Sequence, residues 1–99
     1  MQPAARLDIV IPVFNEGRNI LATLAALARD VRTPARVLIC YDLPDDDTLP
    51  AIRARPDAYA GLAVEFVRNP AEAARLAAQE QKLTFVLHVS GNFDDAGLT

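Results

Sequence analysis

The sequence has few of the residues on which many enzymes depend. It has one lysine, one histidine and one cysteine among 99 residues. Cys40 cannot form an internal disulfide, and its apolar surroundings predict a small buried side chain. His88 has no His or Cys partner and is expected to be structural. The sequence contains no zinc-ligand spacing, Ser-His-Asp set or P-loop. A phosphoreceiver domain is excluded because Lys82 precedes a predicted strand instead of following one.

The chain also lacks long apolar runs and basic clusters. No stretch approaches the roughly 20 apolar residues of a membrane-spanning helix, and the first residues do not form a signal-peptide pattern. The net charge of −3, without a basic run, argues against nucleic acid or a charged membrane surface as partner. Hydrophobic residues make up 52% of the chain, which is enough for a core. We therefore expect a single cytoplasmic domain over residues 1–99.

Two hydrophobic periodicities alternate along the chain. Short apolar runs predict buried strands at 7–13, 36–41, 62–67 and 83–89. Helical patterns lie between them at 18–32, after 47, and from 70 to about 81. Alternation of this kind predicts parallel crossovers with helices on both faces of the sheet. The predicted fold is an α/β three-layer sandwich with a short parallel sheet of order 3-2-1-4, half of a Rossmann-like nucleotide-binding fold.

The helix starts carry recognisable signals. Asn69 fits an N-cap, Pro70 the first helical position, and Glu72 the acidic position of a capping box. Asp45, Asp46 and Asp47 precede the second helix. Acids suit the positive end of a helix dipole, so we expect these three on a solvated face.

Polar and aromatic residues follow every predicted strand, where ligands bind in open parallel sheets. An aromatic ring can stack on a base, a carboxylate can accept from a base N–H, and an arginine can bind phosphate. Two neighbouring acids could hold a divalent metal ion. The residues in these positions are Pro12, Phe14, Asn15, Glu16, Tyr41, Asp42, Arg68, Asn69, Asn92, Asp94 and Asp95. Together they predict a nucleotide pocket.

Each of these residues also has a structural interpretation. Asn15 and Glu16 could cap the first helix, and Asp42 could be a plain turn residue. Arg68 could be a surface arginine. The acids between residues 92 and 95 could belong to a frayed polar tail.

Three segments resemble family 2 glycosyltransferases, inverting enzymes that take sugar from a nucleotide-sugar. "LDIVIPVFNEGRNI", residues 7–20, is similar to their first strand and turn, I-V-I-P-x-Y-N-E-x-x-x-I, with Phe14 in place of Tyr. "YDLPDDDT" is similar to their D-D-x-S-x-D-x-T segment: Asp42, Asp46 and Thr48 match, and Tyr41 replaces the first Asp. "VEFVRNP" resembles their third strand with its R-N ending. The resemblance covers about residues 7–70.

The resemblance implies the donor half of a glycosyltransferase A-type fold, with a nucleotide-sugar or nucleoside diphosphate as ligand. The implied nucleotide-binding residues are Pro12, Phe14, Asn15, Glu16, Asp42 and Arg68. The family's D-x-D holds Mn²⁺ or Mg²⁺; here Asp94 and Asp95 remain, but Asn92 replaces an Asp, which weakens a hard-cation site. Relatives carry the acceptor site and catalytic base further along a longer chain. We therefore expect a truncated or incomplete transferase without catalytic residues of its own.

A second interpretation is a non-catalytic α/β domain that binds a nucleotide or a partner protein. In the order 3-2-1-4 the fourth strand lies at an edge of the sheet. Its sequence, "LTFVLHV", contains no proline, aspartate, glutamate, lysine or arginine to discourage pairing with another chain. We expect a homodimer through antiparallel pairing of two fourth strands. The alternative is that the tail from Gly91 to Thr99 folds back over this edge.

Overall fold

The computed structural model describes residues 7–80 and 83–89. Strands and helices alternate through this part of the chain, as the sequence predicts. They are β1 (Leu7–Pro12), α1 (Ile20–Asp30), β2 (Ala35–Cys40), α2 (Thr48–Ala54), β3 (Ala63–Val67), α3 (Pro70–Gln79) and β4 (Leu83–Val86). A short 3₁₀ helix, Pro56–Tyr59, follows α2 and was not predicted.

The four strands form one parallel sheet in the order β3-β2-β1-β4. Residues at the start of β1 lie opposite the starts of its neighbours: Leu7 pairs with Ala35 of β2 and with Leu83 of β4. Cys40, which ends β2, lies opposite Pro12 and Val67. The predicted strand order is confirmed, and the topology is half of a Rossmann-like fold. Because all strands run parallel, their carboxyl ends meet at one edge of the sheet.

Helices cover both faces of the sheet because successive side chains of a strand point to opposite faces. Ile9 and Ile11 of β1 belong to a core with Ile20 and Leu24 of α1 and Ile52 of α2. The other face has a smaller core. Its buried members are Val10, Leu38, Cys40, Val67 and Ala73, the last from α3. The three-layer arrangement follows, and Cys40 is buried as predicted. No helix of the described residues is both long and apolar enough to cross a membrane.

A buried ion pair joins β1 and β2 near their amino ends. Asp8 is fully buried and lies directly opposite Arg36. The Arg36 guanidinium binds both carboxylate oxygens of Asp8, at 3.0 and 2.8 Å, and also Glu80 at 2.8 Å. Hydrogen bonding to Asp8 raises the pKa of Arg36, against the opposing effect of burial. A buried carboxylate needs such partners, and this pairing was not foreseen from the apolar pattern of β1.

Five elements are shorter than the sequence pattern indicates, and α1 and β4 lose the most residues. α1 begins at Ile20 instead of Arg18, because the carbonyl oxygen of Glu16 accepts from the N–H groups of both Asn19 and Ile20 in a preceding turn. β4 ends at Val86, although the Leu87 N–H still donates to the Val10 carbonyl at 2.8 Å. Boundary shifts of this size are ordinary.

β4 is an exposed edge strand. Within residues 7–80 and 83–89 it pairs only with β1. Three of its apolar side chains are unusually open to solvent: Leu83 at 76%, Phe85 at 56% and Val86 at 50%. Unpaired, uncharged edges favour pairing with other strands. The homodimer stays a prediction, and the tail that could cover β4 lies outside the described residues.

We predict that the chain self-associates through β4 and that Val86→Lys abolishes the association, because a charge on an edge strand opposes strand pairing. Sedimentation equilibrium at several concentrations measures this directly. Ala22→Lys places the same charge on an exposed position of α1 and should leave the association intact. A strict monomer at all concentrations, or equal dissociation by both variants, contradicts the prediction.

Candidate functional site

The loops that follow β1 and β2 leave the sheet side by side. The Val13 N–H donates to the Cys40 carbonyl at 2.9 Å, and the Tyr41 N–H donates to the Val67 carbonyl at 3.0 Å. The ladder therefore continues one residue beyond each strand. Phe14 and Asp42 are the next residues, so they emerge from adjoining strands at the carboxyl edge.

Three consecutive backbone amides of the loop after β1 donate to side chains that follow β2. The bonds run from Asn15 N–H to Asp46 Oδ2 at 3.0 Å, from Glu16 N–H to Thr48 Oγ1 at 2.8 Å and from Gly17 N–H to Asp47 Oδ1 at 2.9 Å. We call residues 15–17 and 46–48 the clasp. It connects segments that are distant in the chain, and it was not foreseen from the sequence.

Asn15 also accepts a hydrogen bond from the loop that follows β2. Its side-chain oxygen accepts from the Asp47 N–H at 3.1 Å. Its φ of 50° lies in the left-handed region, which asparagine adopts more readily than most residues. The N-cap of α1 is Asn19, so the capping interpretation of Asn15 and Glu16 is wrong. The Glu16 carboxylate makes only a long contact to the Asn19 side-chain amide, at 3.5 Å.

Gly17 allows the two loops to approach closely. A Cβ at this position would lie 2.9 Å from Asp47 Oδ1 and 3.0 Å from the Asp47 carbonyl oxygen. The carbonyl belongs to the backbone, so a larger residue could not be accommodated by moving a side chain alone. Glycine at position 17 therefore serves packing between the loops.

Asp46 is the buried centre of the clasp. It is only 3% exposed, so the prediction of a solvated charge is wrong for this acid. Its second oxygen, Oδ1, accepts from the Thr48 N–H at 2.8 Å. Burial raises the pKa of Asp46, but hydrogen bonds from Thr48 and from the Asn15 N–H outweigh it and leave the pKa below its ordinary value. Asp45 and Asp47 are exposed, as expected.

The remaining predicted side chains are presented to solvent. Phe14 is 67% exposed. Asp42 is also exposed, and its carboxylate has no hydrogen-bond partner among the described residues. Arg68 donates to the Asp42 carbonyl at 3.3 Å, and its guanidinium lies 5.5 Å from the centre of the Tyr41 ring, within cation–π range. Arg68, which follows β3, therefore contacts residues that follow β2. Pro12 ends β1 and is half-buried.

Cys40 lies beneath this edge and is unreactive. Burial, and to a lesser extent the charge of Asp42, raises the pKa of the Cys40 thiol to about 11. The thiol is therefore protonated near neutral pH and is a poor nucleophile. Its position supports the structural role predicted for it.

A groove of about 440 Å³ lies beside the edge, between the end of β3 and the start of α3. Arg68, Asn69 and Leu76 line it, whereas Phe14 and Asp42 do not. Arg68 therefore adjoins both the groove and the open edge. The Asn69 side chain accepts from the N–H of residue 72 at 2.8 Å, which confirms the predicted N-cap.

The predicted metal ligands cannot be placed in the fold. Asp94 and Asp95 lie outside the described residues. Within residues 7–80 and 83–89 no group of three or more His, Cys, Asp or Glu side chains could hold a metal ion. A metal role for the two acids stays a prediction.

Comparisons of the chain with protein-family models, with curated proteins and with solved structures find no significant match. The family is therefore not identified, and what stands is an α/β domain with a parallel sheet of order 3-2-1-4.

We predict that Asp46→Asn destabilises the fold by roughly 1.5–3 kcal/mol at pH 7, because an amide cannot accept as well from two N–H donors as a carboxylate. The folded-state pKa of Asp46 is lowered, so its contribution is complete above the unfolded pKa of about 3.9 and is lost as the pH falls through the lower, folded value. The difference between wild type and variant should therefore shrink below about pH 4. Urea unfolding across pH measures it.

Asp45→Asn is the matched control, since Asp45 is exposed in the same loop. It should change the unfolding free energy by less than about 0.5 kcal/mol. An Asp46→Asn difference that is the same at pH 3 and at pH 7 would show that the ionised carboxylate does not carry the effect.

Proposed function

We propose that the carboxyl edge of the sheet binds a nucleotide, and that the chain is the donor-binding part of a family 2-like glycosyltransferase. The observation that carries this proposal is that some residues of the two motifs join the loops, whereas others are exposed and do not. Asn15, Asp46 and Thr48 hold the loops to each other. Phe14 and Asp42 are left exposed, and the Asp42 carboxylate has no hydrogen-bond partner among the residues that the structure describes.

The exposed groups suit a nucleoside diphosphate. The face of the Phe14 ring can stack on a base, an interaction worth about 1–3 kcal/mol in other nucleotide complexes. The Asp42 carboxylate can accept from a ring N–H, which uracil and guanine both offer. A guanidinium has several donors, and the bond to the Asp42 carbonyl leaves Arg68 with others for phosphate oxygens.

Pro12, Asn15 and Glu16 contribute in a different way in this proposal. Pro12 ends β1 and Asn15 is engaged in the clasp, so both shape the loop that carries Phe14. Glu16 is half-buried beside the same loop, and its carboxylate could accept from a ligand hydroxyl group.

None of the proposed contacts performs sugar transfer. Transfer requires a base that deprotonates the acceptor hydroxyl close to the anomeric carbon. Phe14, Asp42 and Arg68 all act on the nucleotide in this proposal, so the residues bind and orient the donor.

A non-catalytic domain that binds a partner protein is the second candidate. The exposed apolar side chains of β4 favour it, because an open edge can accept a strand from another chain. A nucleotide titration separates the two candidates, since only the first predicts a response at the carboxyl edge.

We predict that UDP or GDP shifts the backbone amide resonances of residues 13–17, 41–43 and 68 in a saturable way. Phe14→Ala and Asp42→Asn should each weaken binding about tenfold, through lost base stacking and a lost charge-assisted hydrogen bond. Both side chains are exposed, so the unfolding midpoint should stay the same.

Two variants serve as matched controls. Phe85→Ala removes an exposed phenylalanine from β4, and Asp45→Asn removes an exposed acid from the same loop as Asp42. Neither should change the nucleotide affinity. Absence of any shift at millimolar nucleotide, or equal losses in controls and site variants, would rule the site out.

We predict that a divalent metal ion adds little to this affinity. Asn92 stands where the family pattern has an Asp, and loss of one carboxylate weakens binding of a hard cation. The same titration with and without Mn²⁺ measures the contribution. A large gain in affinity with Mn²⁺ that Asp94→Ala removes would contradict this prediction.

A further inference from the structure

Four hydrogen bonds of the clasp join the two loops. Its members are separated by 30 to 32 positions in the chain. Three of its four donors are consecutive backbone amides, so a whole segment of the first loop is held, not a single side chain. Loops without such bonds open independently.

The two sides of the clasp differ in how firmly they are anchored. Thr48 is fully buried and begins α2, whose Leu49 and Ile52 are core residues. Phe14 and Asn15 on the other side are exposed. The buried acceptors therefore form a fixed template, and the exposed loop takes its position from them.

We propose that the clasp makes the loops after β1 and β2 open and close as one unit, with Asp46 and Thr48 as positioning residues for the side chains that the loops carry. Breaking one bond of the clasp then loosens the others. Thermodynamic linkage makes this coupling mutual, and the bond from the Asp47 N–H to Asn15 allows it to be tested from the first loop.

The coupling matters for binding only if the proposed nucleotide site is correct. Phe14 lies on one loop and Asp42 on the other, and a ligand that touches both benefits when their relative position is fixed beforehand. Thr48 acts on this ligand through the loop, without contact of its own.

Amide exchange with water, followed by NMR, tests the coupling without a ligand. Thr48→Val keeps the side-chain shape and removes the acceptor for the Glu16 N–H. We expect exchange to accelerate about tenfold at Glu16. The Thr48 hydroxyl also bonds the Asp46 carboxylate, which is the acceptor for the Asn15 N–H, so the coupling is read at Gly17, whose acceptor is Asp47. We expect faster exchange at Gly17 as well, whereas a side chain with only a local role would leave Gly17 unchanged.

Asn15→Gly tests the reverse direction and is the safer variant for folding, because Asn15 is exposed and glycine accepts its positive φ. It removes the acceptor for the Asp47 N–H. We expect faster exchange at Asp47 and, through the coupling, at Glu16 and Gly17.

Two variants control for loss of a hydroxyl group and for its restoration. Thr48→Ser keeps the acceptor and should restore slow exchange. Thr23→Val removes a hydroxyl that bonds within α1, to the Asn19 carbonyl, and should leave the clasp unchanged. The Val13 N–H, bonded within the sheet extension, reports any general loss of stability.

Exchange that accelerates at all clasp amides while Val13 keeps its rate supports the proposal. Acceleration only at the amide whose acceptor is removed overturns it. If Thr48→Val also accelerates exchange at Val13, that variant has lost stability in general. Exchange in Asn15→Gly then decides whether the loops are coupled.

Nucleotide affinity gives a separate answer. If wild type binds UDP or GDP, Thr48→Val should weaken binding about tenfold through lost preorganisation, and Thr48→Ser should restore it. An unchanged affinity in Thr48→Val would refute the positioning role. If wild type binds no nucleotide, the proposed function fails, and the exchange rates still decide whether the loops are coupled.

Discussion

The carboxylate of Asp46 is the interaction on which the candidate site depends. It is buried, ionised near neutral pH and bonded by N–H groups from both loops at the carboxyl edge. A buried charge is costly unless it is fully bonded, so the two loops have one arrangement that satisfies it. That arrangement engages the Asn15 side chain in the clasp and leaves Phe14 exposed. The position of the exposed residues therefore follows from the satisfaction of a buried one.

A second buried carboxylate lies at the amino ends of the strands, and it is bonded in a different way. Asp8 is buried in β1 and is bonded by the guanidinium of Arg36, its direct neighbour on β2. Both groups lie on regular strands, so the ion pair fixes two elements that the sheet already holds together. The Asp46 carboxylate instead bonds one backbone amide of the loop after β1 and one at the start of α2, which the sheet ladder does not join. Similar chemistry thus reinforces the fold at the amino edge and shapes the surface at the carboxyl edge.

The contrast also explains which features could be predicted from the sequence. Periodicity is a local signal, and it predicted the seven strands and helices. Their alternation predicted the sheet order, and the residue types at the start of α3 predicted the Asn69 cap. Burial of Asp46 depends on Asn15, which lies 31 positions away, and no local pattern records that distance. Burial of Asp8 could not be predicted for the same reason, because its partner Arg36 lies in another strand. Among the site residues, nucleotide binding by Phe14 and Asp42 stays a prediction, while the bond from the Asp47 N–H to Asn15 required the fold.

Because of the clasp, the residues that match the family pattern do not all support a family function equally. Asn15, Asp46 and Thr48 match the glycosyltransferase pattern, yet loop joining accounts for all three. A domain with another ligand, or with none, would need the same residues to hold the same loops. Phe14 and Asp42 make no such contribution among the described residues. The functional content of the resemblance therefore rests on these two side chains, which the proposal assigns to the nucleotide.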